Sequence, residues 1–145
     1  MNRQPDGGMI AIGVINIIYG IIMALFAVIL IGGDGWVPWN SVWPVTAETV
    51  IGSELWWYGL IELILAIMLI VSGFGLFQVA PWARAMSLMW AVFVIAFTVV
   101  EAIMGELYLA YFVEDIIYPV VLIVVMSTPA WERAFDGDIN EVKID

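Results

Sequence analysis

The chain contains no cysteine and no histidine. The first absence removes disulfides, zinc-thiolate and iron–sulfur sites, and a cysteine nucleophile. The second removes a Ser–His–Asp relay, a haem histidine and histidine-ligated zinc. Basic residues are scarce: 4 Lys and Arg stand against 14 Asp and Glu, a net charge of −10. So few cations cannot neutralise a phosphate backbone, and no nucleic-acid partner is expected. Charged residues of either sign make up only 12% of the 145 residues, half the share of about 25% usual in a soluble domain. What is present is apolar. Hydrophobic residues reach 64% and the mean hydropathy is +1.06. The class this implies is a small polytopic membrane protein, all-α, without cofactor or resident metal.

A helix crosses a bilayer with about 20 apolar residues. Met9–Ile31 is a run without charge. Leu55–Ala80 is broken only by Glu62 and Gln78, and Trp82–Met104 carries Arg84 at one end and Glu101 near the other. Ile116–Met126 is too short alone, so the fourth span is placed at Leu109–Thr128. The first run exceeds the roughly 7–15 residues of a signal-peptide core and has no small-x-small site after it, so it reads as a retained span.

Four spans put Arg3, Arg84, Arg133 and Lys143 on one side, which is then the cytoplasm. Both termini are expected there. Tryptophan gathers at membrane interfaces. Trp36, Trp39, Trp43, Trp56 and Trp57 fall at the outer boundary, Trp82 and Trp131 at the inner one, and only Trp90 inside a span. The loop Gly32–Glu54 is rich in breakers and is expected to lie on the bilayer or cap the bundle. The short link Gln78–Ala83 makes spans two and three antiparallel neighbours.

After the last span, Thr128 reads as an N-cap and Pro129 as the first helical residue. Trp131 and Phe135 share one face of a short helix over 129–135, expected to lie along the inner membrane surface. Residues 136–145 read as an acidic, mobile tail. Asp136, Asp138 and Asn140 match the first ligand positions of an EF-hand, but Glu141 stands where that loop requires glycine.

Membrane helices associate through close packing and polar contacts, marked by small residues. Gly13, Asn16, Gly20 and Ala24 form such a stripe on helix one. Gly59, Glu62, Ala66 and Gly73 form one on helix two, and Ala83, Ser87 and Ala91 one on helix three. Helix four offers Asp115, Tyr118 and Leu122, with Pro119 as an expected kink. The pattern is that of a four-helix transmembrane bundle held by plain packing.

Carboxylates within a span are expensive, which makes Glu62, Glu101, Glu114 and Asp115 candidates for a proton or cation site. All four fall in the outer half, without Lys or Arg at their depth. A carboxylate buried without compensation takes up a proton, shares one or binds a cation. The alternative is structural: Glu101, Glu114 and Asp115 reach water, and Glu62 bonds to Tyr58, Tyr118 or a backbone carbonyl.

Three stretches, Gly13–Ile21 (GVINIIYGI), Ser72–Arg84 (SGFGLFQVAPWAR) and Ile117–Phe135 (IYPVVLIVVMSTPAWERAF), carry a family likeness. They resemble the small, uncharacterised bacterial four-helix membrane proteins with a "PWAR"-type turn between spans two and three and a "YP" start to span four. Thr128 stands where that family usually has Arg. The resemblance covers about half of the chain. It implies the fold and a bacterial inner membrane, and no catalytic residue. The expected role is a non-enzymatic accessory or structural subunit that packs against other membrane subunits or itself within the lipid bilayer. The alternative is a small proton- or cation-handling transporter with an outward acidic vestibule.

Overall fold

The computed structural model describes residues 5–32, 55–104 and 109–136, with all side chains there except those of residues 32, 55–56, 101, 104, 109–115 and 136. Every regular element among them is a helix: α1 (Gly7–Gly32), α2 (Leu55–Phe77), α3 (Pro81–Met104), α4 (Leu109–Met126) and α5 (Pro129–Asp136). Helices α1 to α3 are long and apolar enough to cross a membrane. A fourth crossing is reached when Ile116–Met126 is counted with Pro129–Phe135, across a bend of 70°. The chain is a multi-pass helical membrane protein. The loop carrying Trp36, Trp39 and Trp43 lies outside the described residues, as does the tail beyond Asp136.

Local chemistry sets the helix ends. Asp6 caps α1, its Oδ1 accepting the Met9 amide at 2.8 Å. Helix α2 ends in a paired set of backbone bonds: Ala80 N–H donates to the Gly75 carbonyl at 3.0 Å and Val79 N–H to the Leu76 carbonyl at 3.1 Å. That is a Schellman ending, whose left-handed position usually holds glycine. Here Val79 holds it, with φ of 50°. A β-branched residue is disfavoured in that conformation. Its side chain is buried in the core cluster beside Leu76 and Ala83, which offsets the backbone cost. Pro81 then opens α3 at a position where its missing N–H costs nothing. Pro129 opens α5 in the same way. Thr128 does not cap α5 with its side chain. Its Oγ1 turns back and donates to the Val125 carbonyl at 2.9 Å, serving one of the unpaired carbonyls that end α4.

Helices α1 and α2 are antiparallel, and backbone meets backbone along their length. A Cβ added to Gly73 would lie 2.7 Å from the Gly13 carbonyl oxygen, one on Gly20 2.9 Å from that of Ala66, and one on Gly59 2.9 Å from that of Ala27. Such proximity maximises dispersion contact and brings Cα–H groups against carbonyls, the forces available where lipid removes the usual hydrophobic drive. Ala24 is only partly buried; Ala27 takes the fully buried place one turn on.

Helix α3 packs on α2 and α4. Its Ala83, Ser87 and Ala91 are buried, while Met89, Val92 and Phe93 face outward. Ala91 is 0% exposed and Val92 59%. Ala91→Phe is therefore expected to cost at least the roughly 1–3 kcal/mol of core overpacking, and Val92→Phe close to nothing. Folded yield and melting temperature in detergent compare the two; equal values would place Ala91 against lipid.

At the end of the bundle that carries the turn at Gln78–Val79, α5 folds across the helix ends. Trp131 and Phe135 pack into the bundle with Met9, Val79 and Ala83. The apolar face expected to lie on the membrane surface is thus used as a plug. Arg84 fastens it. Its Nε donates to the Met126 carbonyl at 2.9 Å, and its Nη2 stands 3.6 Å from Glu132. The exposed ion pair adds little; the bond to a terminal carbonyl joins α3 to α4.

Candidate functional site

Polar side chains inside a bilayer-spanning bundle must find partners within the protein. Four of them meet here. Asn16 of α1, Ser72 of α2, Ser87 of α3 and Tyr118 of α4 each lie about two turns from the end that carries α5. Antiparallel packing brings them to one level.

Asn16 is the hub and is fully buried. Its Nδ2 donates to Ser72 Oγ at 3.0 Å and to Ser87 Oγ at 3.5 Å. Its Oδ1 accepts a short hydrogen bond from the Tyr118 hydroxyl. Ser72 passes its own proton to the Leu69 carbonyl at 2.8 Å. An amide carries two donors and an acceptor, so one Asn can reach three other helices at once. Above this network three rings meet edge-on. Tyr19 and Tyr118 centroids are 5.3 Å apart, Trp90 and Tyr118 5.9 Å, and Tyr19 and Trp90 6.2 Å. Such edge-to-face contacts favour a fixed ring geometry. Trp90 is 1% exposed, and its indole Nε1 has no hydrogen-bond partner among the described residues.

The acidic residues are placed differently. Glu62 is partly buried on α2, one turn from Tyr58. Tyr58 meets Phe97 of α3 edge-on at 6.0 Å. Tyr118, the other tyrosine expected near Glu62, donates its hydroxyl proton to Asn16. Glu101 belongs to the last turn of α3, and Glu114 and Asp115 to α4, but their side chains lie outside the described residues. Among the described residues no three acidic, His or Cys side chains come together as metal ligands. An apolar groove of ≈ 240 Å³ between α2 and α3 is lined by Ile61, Ile64, Leu65, Met68, Met89 and Phe93. It opens on the outer face, where Ile64, Met89 and Phe93 are exposed.

No family model, curated protein or solved structure matches the chain.

Sequence reasoning placed Asn16 on a packing stripe in the inner half, where a bond across helices is expected, assigned Ser87 to a packing stripe and left Ser72 aside. The usable signal was depth: each of the four helices places a polar residue within about one and a half to two and a half turns of the same end. Trp90 carried a signal too, as the tryptophan that falls within a span rather than at an interface.

Proposed function

We propose that the protein is a non-enzymatic accessory or structural subunit of a larger membrane assembly in a bacterial inner membrane, with both termini cytoplasmic. One observation carries the role: the bundle centre is occupied by side chains bonded to one another. Asn16, Ser72, Ser87 and Tyr118 spend their polar capacity on holding four helices together. Their groups are engaged in bonds rather than offered to a substrate, and the network lies across the line that a transport path would take. The bundle's outer surface is apolar, and α1 is the barest helix, with Ile10, Val14, Ile18, Ile21, Leu25 and Val28 exposed along it. Such a face accepts lipid or a neighbouring helix equally.

The orientation rests on the basic residues. Arg84 and Arg133 both lie at the α5 end, and positive charge is retained in the cytoplasm. Single cysteines at Asn2, Ser41 and Asp145 test this with an impermeant thiol reagent on intact cells. Only the Ser41 position is expected to react. Labelling at Asn2 or Asp145, or silence at Ser41, reverses the orientation.

The role is tested by native mass measurement of the complex extracted from its membrane. A defined hetero-complex of fixed stoichiometry is the expected result. A bare homo-oligomer that conducts protons or cations, and loses conduction in Glu62→Gln, would replace this reading by the transporter.

A further inference from the structure

The apolar groove between α2 and α3 has a definite depth and shape. Ile61, Ile64, Leu65 and Met68 line it from one face of α2 over two turns, and Met89 and Phe93 line it from α3, one turn apart. Counted from the end that carries α5, Met68 and Met89 lie at one level, and Ile64 and Phe93 at the next. The groove therefore runs along the seam of the two helices, from roughly 12 Å to roughly 24 Å above that end, across the middle of a hydrocarbon core about 30 Å thick. Leu65 is buried at its floor, while Ile64, Met89 and Phe93 are exposed at its rim. No polar residue lines it.

At that depth neither water nor a lipid headgroup is at hand, and an empty hollow forfeits the dispersion contacts of its walls. The occupant is hydrocarbon, and the groove sets its shape. A volume of ≈ 240 Å³ spread over the roughly 10 Å from Ile61 to Met68 is a channel about 5 Å across. A helix with its side chains is about 10–12 Å in diameter and does not enter. A helix laid over the rim is disfavoured too. Membrane helices approach one another through Gly, Ala, Ser and Thr, and all six lining side chains are large. A single methylene chain does fit, since carbons in contact lie only about 3.5–4.0 Å apart, and it runs along the helices as the groove does. Met68 and Met89 have the unbranched, flexible side chains that close on such a thread. We infer that the seam between α2 and α3 is a binding site for one acyl chain of a membrane phospholipid, seated on Leu65 and flanked by Met89 and Phe93.

The test uses the full-length protein in nanodiscs of phosphatidylglycerol, a small fraction of which carries a carbene precursor halfway along one acyl chain. After irradiation, digestion and mass spectrometry locate the labelled residues. Every lipid-facing helix collects some label, so Ile18 and Ile21 of α1, exposed at the same depth, give the baseline. Residues 61–68 and 89–93 are expected to carry about fivefold more label per residue, a preference that a few added carbon contacts supply. Met89→Trp fills the groove from its rim and should bring residues 61–68 down to the baseline. Val92→Trp should leave them enriched, because Val92 is exposed on the same helix but does not line the groove. Ile64→Trp fills the groove from α2, so the result does not hang on one variant folding. Label spread evenly over all exposed helices would overturn the site. So would enrichment that neither Met89→Trp nor Ile64→Trp reduces. Protection of the groove while α1 is labelled would also overturn it, since a protein partner then covers the seam; that outcome would leave the reading as an accessory subunit standing.

Discussion

Gly73→Ala is expected to destabilise the protein, although the same change in a helix interior normally stabilises by roughly 0.5–1 kcal/mol. The sign reverses because the added methyl has no room. It would lie 2.7 Å from the Gly13 carbonyl oxygen and 2.8 Å from the Ile17 side chain. The side chain can rotate away; the carbonyl belongs to the α1 backbone and can retreat only if the helices separate. Separation loosens the contacts at Gly20 and Gly59 as well, since the same two helices meet there. The cost is then set by overpacking, about 1–3 kcal/mol, with its upper end favoured by the immobility of backbone. Gly7→Ala is the control, because a Cβ there meets nothing within 4 Å. Melting temperatures in one detergent compare the two. A Gly73→Ala protein as stable as Gly7→Ala would mean that α1 and α2 do not approach as described.

Asn16→Leu should be as damaging through a different cause. The substitution keeps the branched shape and the number of side-chain heavy atoms, and removes three hydrogen bonds at once. Interhelical hydrogen bonds in membranes average only about 0.6 kcal/mol, with a maximum near 1.7. Three together give on the order of 2 kcal/mol, and the Tyr118 hydroxyl is left buried without its acceptor. Tyr118→Phe alone removes one bond and should cost about a third as much. The double variant is expected to lose less than the sum of the singles, because the Tyr118 bond can be removed only once. Chemical or thermal unfolding in detergent gives all three values. Strict additivity would show that Asn16 and Tyr118 act independently.

The helices were legible because a bilayer leaves the sequence little freedom. Runs such as Met9–Ile31, closed by Gly32 and Gly33, admit one element, and α1 covers Gly7–Gly32. The turn at Gln78–Val79 was legible from its brevity and from Pro81, but its form was not. Nothing local announces that Val79 takes a left-handed conformation; burial of its side chain, a tertiary effect, holds it there. Helix α5 shows the same limit. Trp131 and Phe135 could be assigned to one face from their spacing, yet whether that face meets lipid or protein depends on the 70° bend after α4. The partners of Asn16 were hidden for a related reason. Spacing ranks the faces of one helix, whereas a four-helix network depends on the rotation of all four about their axes. The acidic residues were the most conspicuous feature of the chain, because a carboxylate among apolar residues stands out in a sequence. The Asn16 network is quieter: serine and tyrosine are ordinary in a membrane helix, and only their common depth gives them meaning.

Trp90, held edge-on between Tyr19 and Tyr118, also gives the protein an optical signature. An indole fixed in an asymmetric aromatic surrounding is a source of near-ultraviolet circular dichroism, a signal lost when side-chain packing melts while helices persist. In this chain the two kinds of order therefore report separately. Far-ultraviolet ellipticity follows the helices, which the bilayer or a micelle can sustain one by one. The near-ultraviolet band includes the contribution of the rings from α1, α3 and α4 that meet at Trp90, and the part of it lost in Trp90→Phe reports whether those helices are assembled rather than merely present.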